Sequence, residues 1–325
     1  MSEAIRPSAL VHAVTQFLTH KRTLGHRYRH EAWLLQTLRR HVEQGGCRDL
    51  DAKCFGRWLT SLKDHHPNTR HKWYQIVRHF CRYRRRSEPR CFLPPDEGVP
   101  KRQPYVRPVI VNPPEIARML GIASKLPGTK RSPLRAPALR LAIVLLYTCG
   151  LRLGELLRLT LGDVEEGGAL LRIRESKFHK SRLVPLSLGA TRELQAYLRQ
   201  RRRAFAAYPS APLLCNRYGG HPHPYSHFGL QFAVNRLFNA AGVQDEQGRR
   251  PRVHDLRHSF AVQALIRWYR NGGDVQSGLP KLALYMGHVS IKSSAHYLHW
   301  VPTLQRLASH RFERRFGRLV EGGVR

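Results

Sequence analysis

His254-Asp255-Leu256-Arg257-His258-Ser259-Phe260-Ala261 is the stretch of this 325-residue chain from which the rest is best read. It lies in a run, 253–272, whose pattern predicts a helix. On a helix, positions 254, 257 and 258 share one face. That face gathers two imidazoles around a guanidinium. Zinc is one candidate guest, because His254 and His258 stand at i and i+4. Against zinc, no Glu follows His254 and no third ligand is evident. A phosphate group suits the cluster better. Arginine offers a planar two-pronged donor, and histidine can move a proton near neutral pH.

Working outward, three more clusters carry chemistry. Upstream, Thr148-Cys149-Gly150-Leu151-Arg152-Leu153-Gly154-Glu155-Leu156 ends an apolar helix at Gly150 and presents Arg152. Glu155 lies three residues on, close enough on a helix to hold that guanidinium. A plain structural salt bridge explains the pair equally well. Lys177 falls in a turn, ESKFHK, between two short strands, ALLRIR and SRLVPLS. A turn lysine is usually just solvated, and Lys180 and Arg182 crowd the same region. Downstream, Gly287-His288-Val289-Ser290 precedes Tyr297. Twelve tyrosines are present, and most tyrosines are core or interface residues.

Singly these clusters say little. Together, in order and spacing, they resemble the tyrosine recombinase (phage integrase) family. The resemblance covers about residues 115–300. It is strongest in TCGLRLGEL, SKFHKSRLVPL, HDLRHSFA and MGHVSIKSSAHYLHW. The family pattern of Arg, Lys, His-x-x-Arg, His or Trp, and Tyr is filled by Arg152, Lys177, His254, Arg257, His288 and Tyr297. The resemblance implies that Tyr297 is the nucleophile and forms a 3′-phosphotyrosine bond with DNA. It makes Arg152 and Arg257 the clamps on the non-bridging oxygens. Lys177 becomes the acid for the leaving 5′-oxygen, with His254 and His288 assisting and Glu155 supporting Arg152. It also implies that no metal, ATP or other cofactor takes part.

Charge agrees with a DNA partner. Lys and Arg number 56 against 22 Asp and Glu, a formal net charge of +34, which points to a polyanion. No apolar run reaches about 18 residues, and MSEAIRPSAL lacks an apolar signal-peptide core. The expectation is therefore a cytoplasmic, nucleoid-associated protein with no membrane partner. Six cysteines form no C-x-x-C pair and read as reduced structural thiols.

The expected architecture has two domains. Residues 1–90 read as an all-α domain of four helices, which the resemblance makes the core-binding (SAM-like) domain. Residues 91–112 read as an extended Pro-rich linker. Residues 113–325 read as a mainly α (α+β) catalytic domain with a small antiparallel β-sheet, ending in an amphipathic tail helix over 304–319. In the fourth helix, aromatics interleave with cations, and Arg70, Lys72, Arg78 and Arg82 are expected to lie on DNA phosphates, as are Lys180 and Arg182. The resemblance further implies double-stranded recombination sites, a homotetramer or heterotetramer on paired sites, and room for an accessory recombinase. Integration, excision or transposition of a mobile element is the favoured role. Alternatives are a type IB topoisomerase-like relaxing enzyme, an inactive DNA-binding regulator, and a metal-dependent nuclease.

Overall fold

The computed structural model describes residues 9–174 and 181–287. The chain divides into two units, Met1–Val106 and Arg107–Arg325. The ESKFHK turn from Glu175 onward, Lys177 and Lys180 within it, His288, Tyr297 and the 304–319 tail lie outside the described residues.

Four helices build the first unit: α1 (Ala9–Thr23), α2 (Arg29–Gln44), α3 (Ala52–Ser61) and α4 (Pro67–Arg84). Asp51 caps α3 by accepting the Cys54 amide at 2.6 Å, and Pro67 starts α4 at a position where a missing N–H costs nothing. The core is aromatic. Phe17 is fully buried and its ring centre lies 5.6 Å from Phe80 and 5.2 Å from Tyr83. Leu34, Leu35, Leu38, Trp58 and Tyr74 close around it.

The stretch expected to be an extended linker is held by hydrogen bonds to α4. Arg78 Nε donates to the Pro94 carbonyl at 2.9 Å, and Tyr74 donates to that of Pro95. The His71 ring donates to the Pro100 carbonyl at 2.7 Å, and the Gln103 amide donates to Asn68 at 2.9 Å. Phe92, Leu93 and Val99 pack on the helical core. Proline has no amide hydrogen, so a proline-rich segment cannot pair with itself. Its carbonyls take donors from α4 instead.

The second unit begins by tying its first residues to a later helix. The Val111 amide donates to Ser259 Oγ at 2.8 Å. Then come α5 (Pro113–Ser124), closed by a reciprocal Asn112–Glu115 cap, and α6 (Arg135–Thr148). The latter is apolar on nearly every side because it is enclosed. Leu139, Leu141, Ala142, Ile143, Leu145 and Leu146 are all buried. After the short α7 (Leu153–Arg158), three strands form an antiparallel sheet in sequence order: β1 (Val164–Glu165), β2 (Leu170–Ile173) and β3 (Arg182–Pro185). In its register Ile173 faces Arg182 and Leu171 faces Val184. Next come α8 (Leu188–Ala204), β4 (Cys215–Tyr218), β5 (His221–Pro224), α9 (His227–Ala240), α10 (Val253–Arg270) and α11 (Val275–Met286).

The strand β4 starts at Cys215 and pairs with β5 in a hairpin. Leu213 and Leu214 are buried in the core, and the Leu213 amide donates to the Leu159 carbonyl at 2.8 Å. Among the described residues no helix is long and apolar enough to cross a membrane.

Candidate DNA-cleavage site

The chain reverses at Gly150, immediately after α6. Its φ of +59° suits glycine, and a Cβ there would stand 2.5 Å from the Phe260 ring on α10. The reversal sets Arg152 at the start of α7. Glu155, one turn in, is almost wholly buried and accepts from both parts of Arg152: Nη1 at 2.6 Å and the backbone amide at 3.0 Å.

Arg257 reaches the same place from the first turns of α10. It is 2% exposed. Nη1 donates to the Gly150 carbonyl, and Nη2 donates to the Met286 carbonyl at 2.5 Å. Arg152 Nη2 donates to the next carbonyl along, that of Gly287, at 3.0 Å. Two arginines from different elements thus fasten to consecutive carbonyls at the end of α11. Position 288 follows directly.

His254 sits on the first turn of α10 with part of its ring in solvent. The fold strips some water from the imidazole and sets Arg257 nearby. Both effects hold its pKa below the ordinary histidine value and keep the ring neutral at neutral pH. His258 meets it edge to face, ring centres 4.8 Å apart. Desolvation first and His254 second lower the His258 pKa to about 4. Glu155 is pulled both ways. Burial would raise its pKa, but hydrogen bonds from Arg182, then from Arg152, outweigh that and bring it to about 2.

The sequence expectations separate here. The structure brings Arg152, Glu155, His254 and Arg257 together. Two expected phosphate contacts have other posts. Arg182 grips Glu155 through Nη1 at 3.1 Å and Nη2 at 2.9 Å. Arg78 is 6% exposed and bonds to the Asp96 carboxylate and the Pro94 carbonyl. Each is a cation close to a carboxylate that lies far off in sequence. Lys72 and Arg82 do face solvent, and Arg70 is half-buried. His258 stands beside His254, as its i+4 spacing predicts. Among the described residues no group of three or more His, Cys, Asp or Glu could hold a metal ion.

Two guanidiniums converging beside a neutral imidazole, on a mainly helical unit with small antiparallel sheets, define the class: the tyrosine recombinase fold. The family model described as the phage integrase family matches residues 112–302. The chain belongs to that family. It is 33% identical over 306 residues to the putative integrase/recombinase y4rB of Sinorhizobium fredii, covering 94% of this chain and 97% of that protein. It is 28% identical over 255 residues to the tyrosine recombinase XerC of Myxococcus xanthus, covering 73% of each. Among solved structures, the Tn1549 transposon integrase in complex with transposon right-end DNA aligns over 94% of this chain and 98% of its own, with TM-score 0.65 and 16% identity. A lambda integrase dimer bound to a core site aligns over 87% of this chain and 96% of its own, with TM-score 0.56 and 17% identity.

Proposed function

We propose that this protein cuts and rejoins duplex DNA at specific sites through a 3′-phosphotyrosine bond, in the integration, excision or transposition of a mobile element. The observation that carries this reading is the fastening of Arg152 and Arg257 to the adjacent carbonyls of Gly287 and Met286. It ties both cations to the segment that leads to position 288 and on to Tyr297.

The Tyr297 oxygen attacks the phosphorus, and the bond from phosphorus to the 5′-oxygen breaks. His254, neutral at physiological pH, takes or orients the phenol proton. Lys177 gives a proton to the departing 5′-oxygen. Arg152 and Arg257 hold the non-bridging oxygens, where charge accumulates in the transition state, and His288 adds a hydrogen bond. The phosphodiester energy stays in the new bond, so rejoining draws on no nucleotide. Arg70, Lys72, Arg82 and Lys180 contact the DNA backbone. The first unit serves as the core-binding domain, and the protein works as a tetramer of one or two kinds of subunit on paired sites.

The test is covalent trapping. Wild type and Tyr297→Phe are incubated, with chelator, with DNA from the ends of the protein's own genetic neighbourhood, then denatured. A detergent-resistant adduct in the wild type alone, with free 5′-hydroxyl ends, is expected. An equal adduct in Tyr297→Phe, or loss of the adduct in chelator alone, would overturn the mechanism.

A further inference from the structure

We infer that Arg182 is a positioning residue, whose two-pronged grip on the Glu155 carboxylate orients Arg152 and supplies the second positive charge that leaves the trio a net +1 toward a phosphate. The inference rests on the recombination reading above.

Glu155 receives four donors from two arginines. Oε1 accepts Arg152 Nη1 at 2.6 Å and Arg182 Nη1 at 3.1 Å. Oε2 accepts the Arg152 amide at 3.0 Å and Arg182 Nη2 at 2.9 Å. A carboxylate has about four lone-pair sites, so this one is saturated. The Glu155 side chain is 1% exposed, and no water replaces a donor that is lost. Without Arg182 the carboxylate is free to turn, and Arg152 turns with it.

Charge supplies the second half of the argument. Glu155 with Arg152 alone is a neutral pair. Arg182 adds the second positive charge, so the trio carries a net +1. Its side chain is 11% exposed against 25% for Arg152. The inner arginine therefore offsets the carboxylate, and the outer one faces outward. Arg182 also passes close to Gly287, where a Cβ would stand 3.1 Å from Nη1 at a backbone φ of +64°. Three segments thus meet at one side chain: α7, β3, and the residue before His288. Tyr285 adds a parallel tie by donating to the Pro185 carbonyl at 3.3 Å.

A DNA contact and a positioning role predict opposite results. Arg182→Met and Arg182→Lys are compared with wild type for DNA affinity against salt and for the rate of adduct formation at saturating DNA. For Arg182→Met we expect an affinity within about 2-fold and an unchanged salt slope, because no phosphate contact is lost. Its saturated rate falls about 100-fold, the scale of one lost transition-state donor. Arg182→Lys keeps the charge without the fork and recovers part of that loss. A salt slope lower by about 1 with an unchanged saturated rate would make Arg182 a phosphate contact and overturn the inference. Carbon-13 NMR titration of Glu155, without DNA, decides the geometry separately. The midpoint rises in Arg182→Met, and an unmoved midpoint refutes the grip. Absence of any adduct in the wild type, with the midpoint shifted, refutes recombination while upholding the grip.

Discussion

Arg84 in the first unit and Arg257 in the second are buried in opposite ways. In the first, Arg84 is 4% exposed and answers to carboxylates: both oxygens of Asp49, at 2.6 and 2.7 Å, and Glu88 at 2.6 Å. Arg78 likewise pairs with Asp96. In the second, Arg257 donates to the main-chain oxygens of Gly150 and Met286. A carboxylate holds an arginine and cancels its charge. A carbonyl dipole holds it and leaves the charge in place. The first arrangement suits a scaffold and the second suits a site for an anion. Arg201 refines the lesson. It is fully buried and donates to the carbonyls of Leu213, Ala206 and Pro212, yet it serves only to close α8 against the following loop. Carbonyl ligation marks a site only where a second cation converges.

The largest expected effect falls on Arg257. Arg257→Lys should slow adduct formation by about 1,000-fold or more while DNA binding persists, since the charge stays but the fork is lost. A loss seen in melting temperature instead, at full activity per folded molecule, would place Arg257 with Arg84 and erase the contrast.

Acid comes next. The Glu155 pKa lies at about 2 in the fold against 4.5 as reference, so its contribution is complete above pH 4.5 and is lost as pH falls toward 2. That contribution is about 3 kcal/mol by proton linkage. Glu155→Gln should remove this acid-sensitive part of the stability profile, and an unchanged profile in denaturant melts from pH 6 down to about 2 would contradict it.

Arg84→Met should act on stability alone. It strands Asp49 and Glu88, which are themselves partly exposed, at a cost of about 2 kcal/mol. Adduct formation per folded molecule should hold. The smallest effects belong to the exposed cations of α4. Lys72→Gln and Arg82→Gln should each lower the salt slope of DNA binding by about 1 with an unchanged melting temperature. Arg78→Gln should do the reverse and lower the melting temperature.

These contrasts also explain what could be read from the chain alone. His254, Arg257 and Arg152 were legible because helical spacing and a glycine reversal are local. The burial of Arg78 was not legible because one helix carries two kinds of arginine. Positions 74, 77, 78 and 81 form a single buried stripe, and Arg78 lies within it. Its partner Asp96 is a long-range choice that counting charges does not reveal. Glu155 and Arg182 are 27 residues apart and meet only once β3 is in register. The β4–β5 hairpin did leave a local sign, the Gly219-Gly220 pair with φ of 54° and 81°, which suits a two-residue hairpin turn. The hydrogen bonds that hold the proline-rich segment were not legible for the same reason as those of Arg78: the partners belong to another segment.

Arg257 is held at Met286 by an oxygen that every amino acid carries. A guanidinium moored to the main chain asks nothing of the side chain at that address. Substitutions can accumulate there through descent without loosening the arginine, provided the backbone path survives. A shared architecture with the Tn1549 integrase at 16% identity is the outcome such mooring permits. What selection must preserve at that point is a curve in the chain, and its spelling is free to drift.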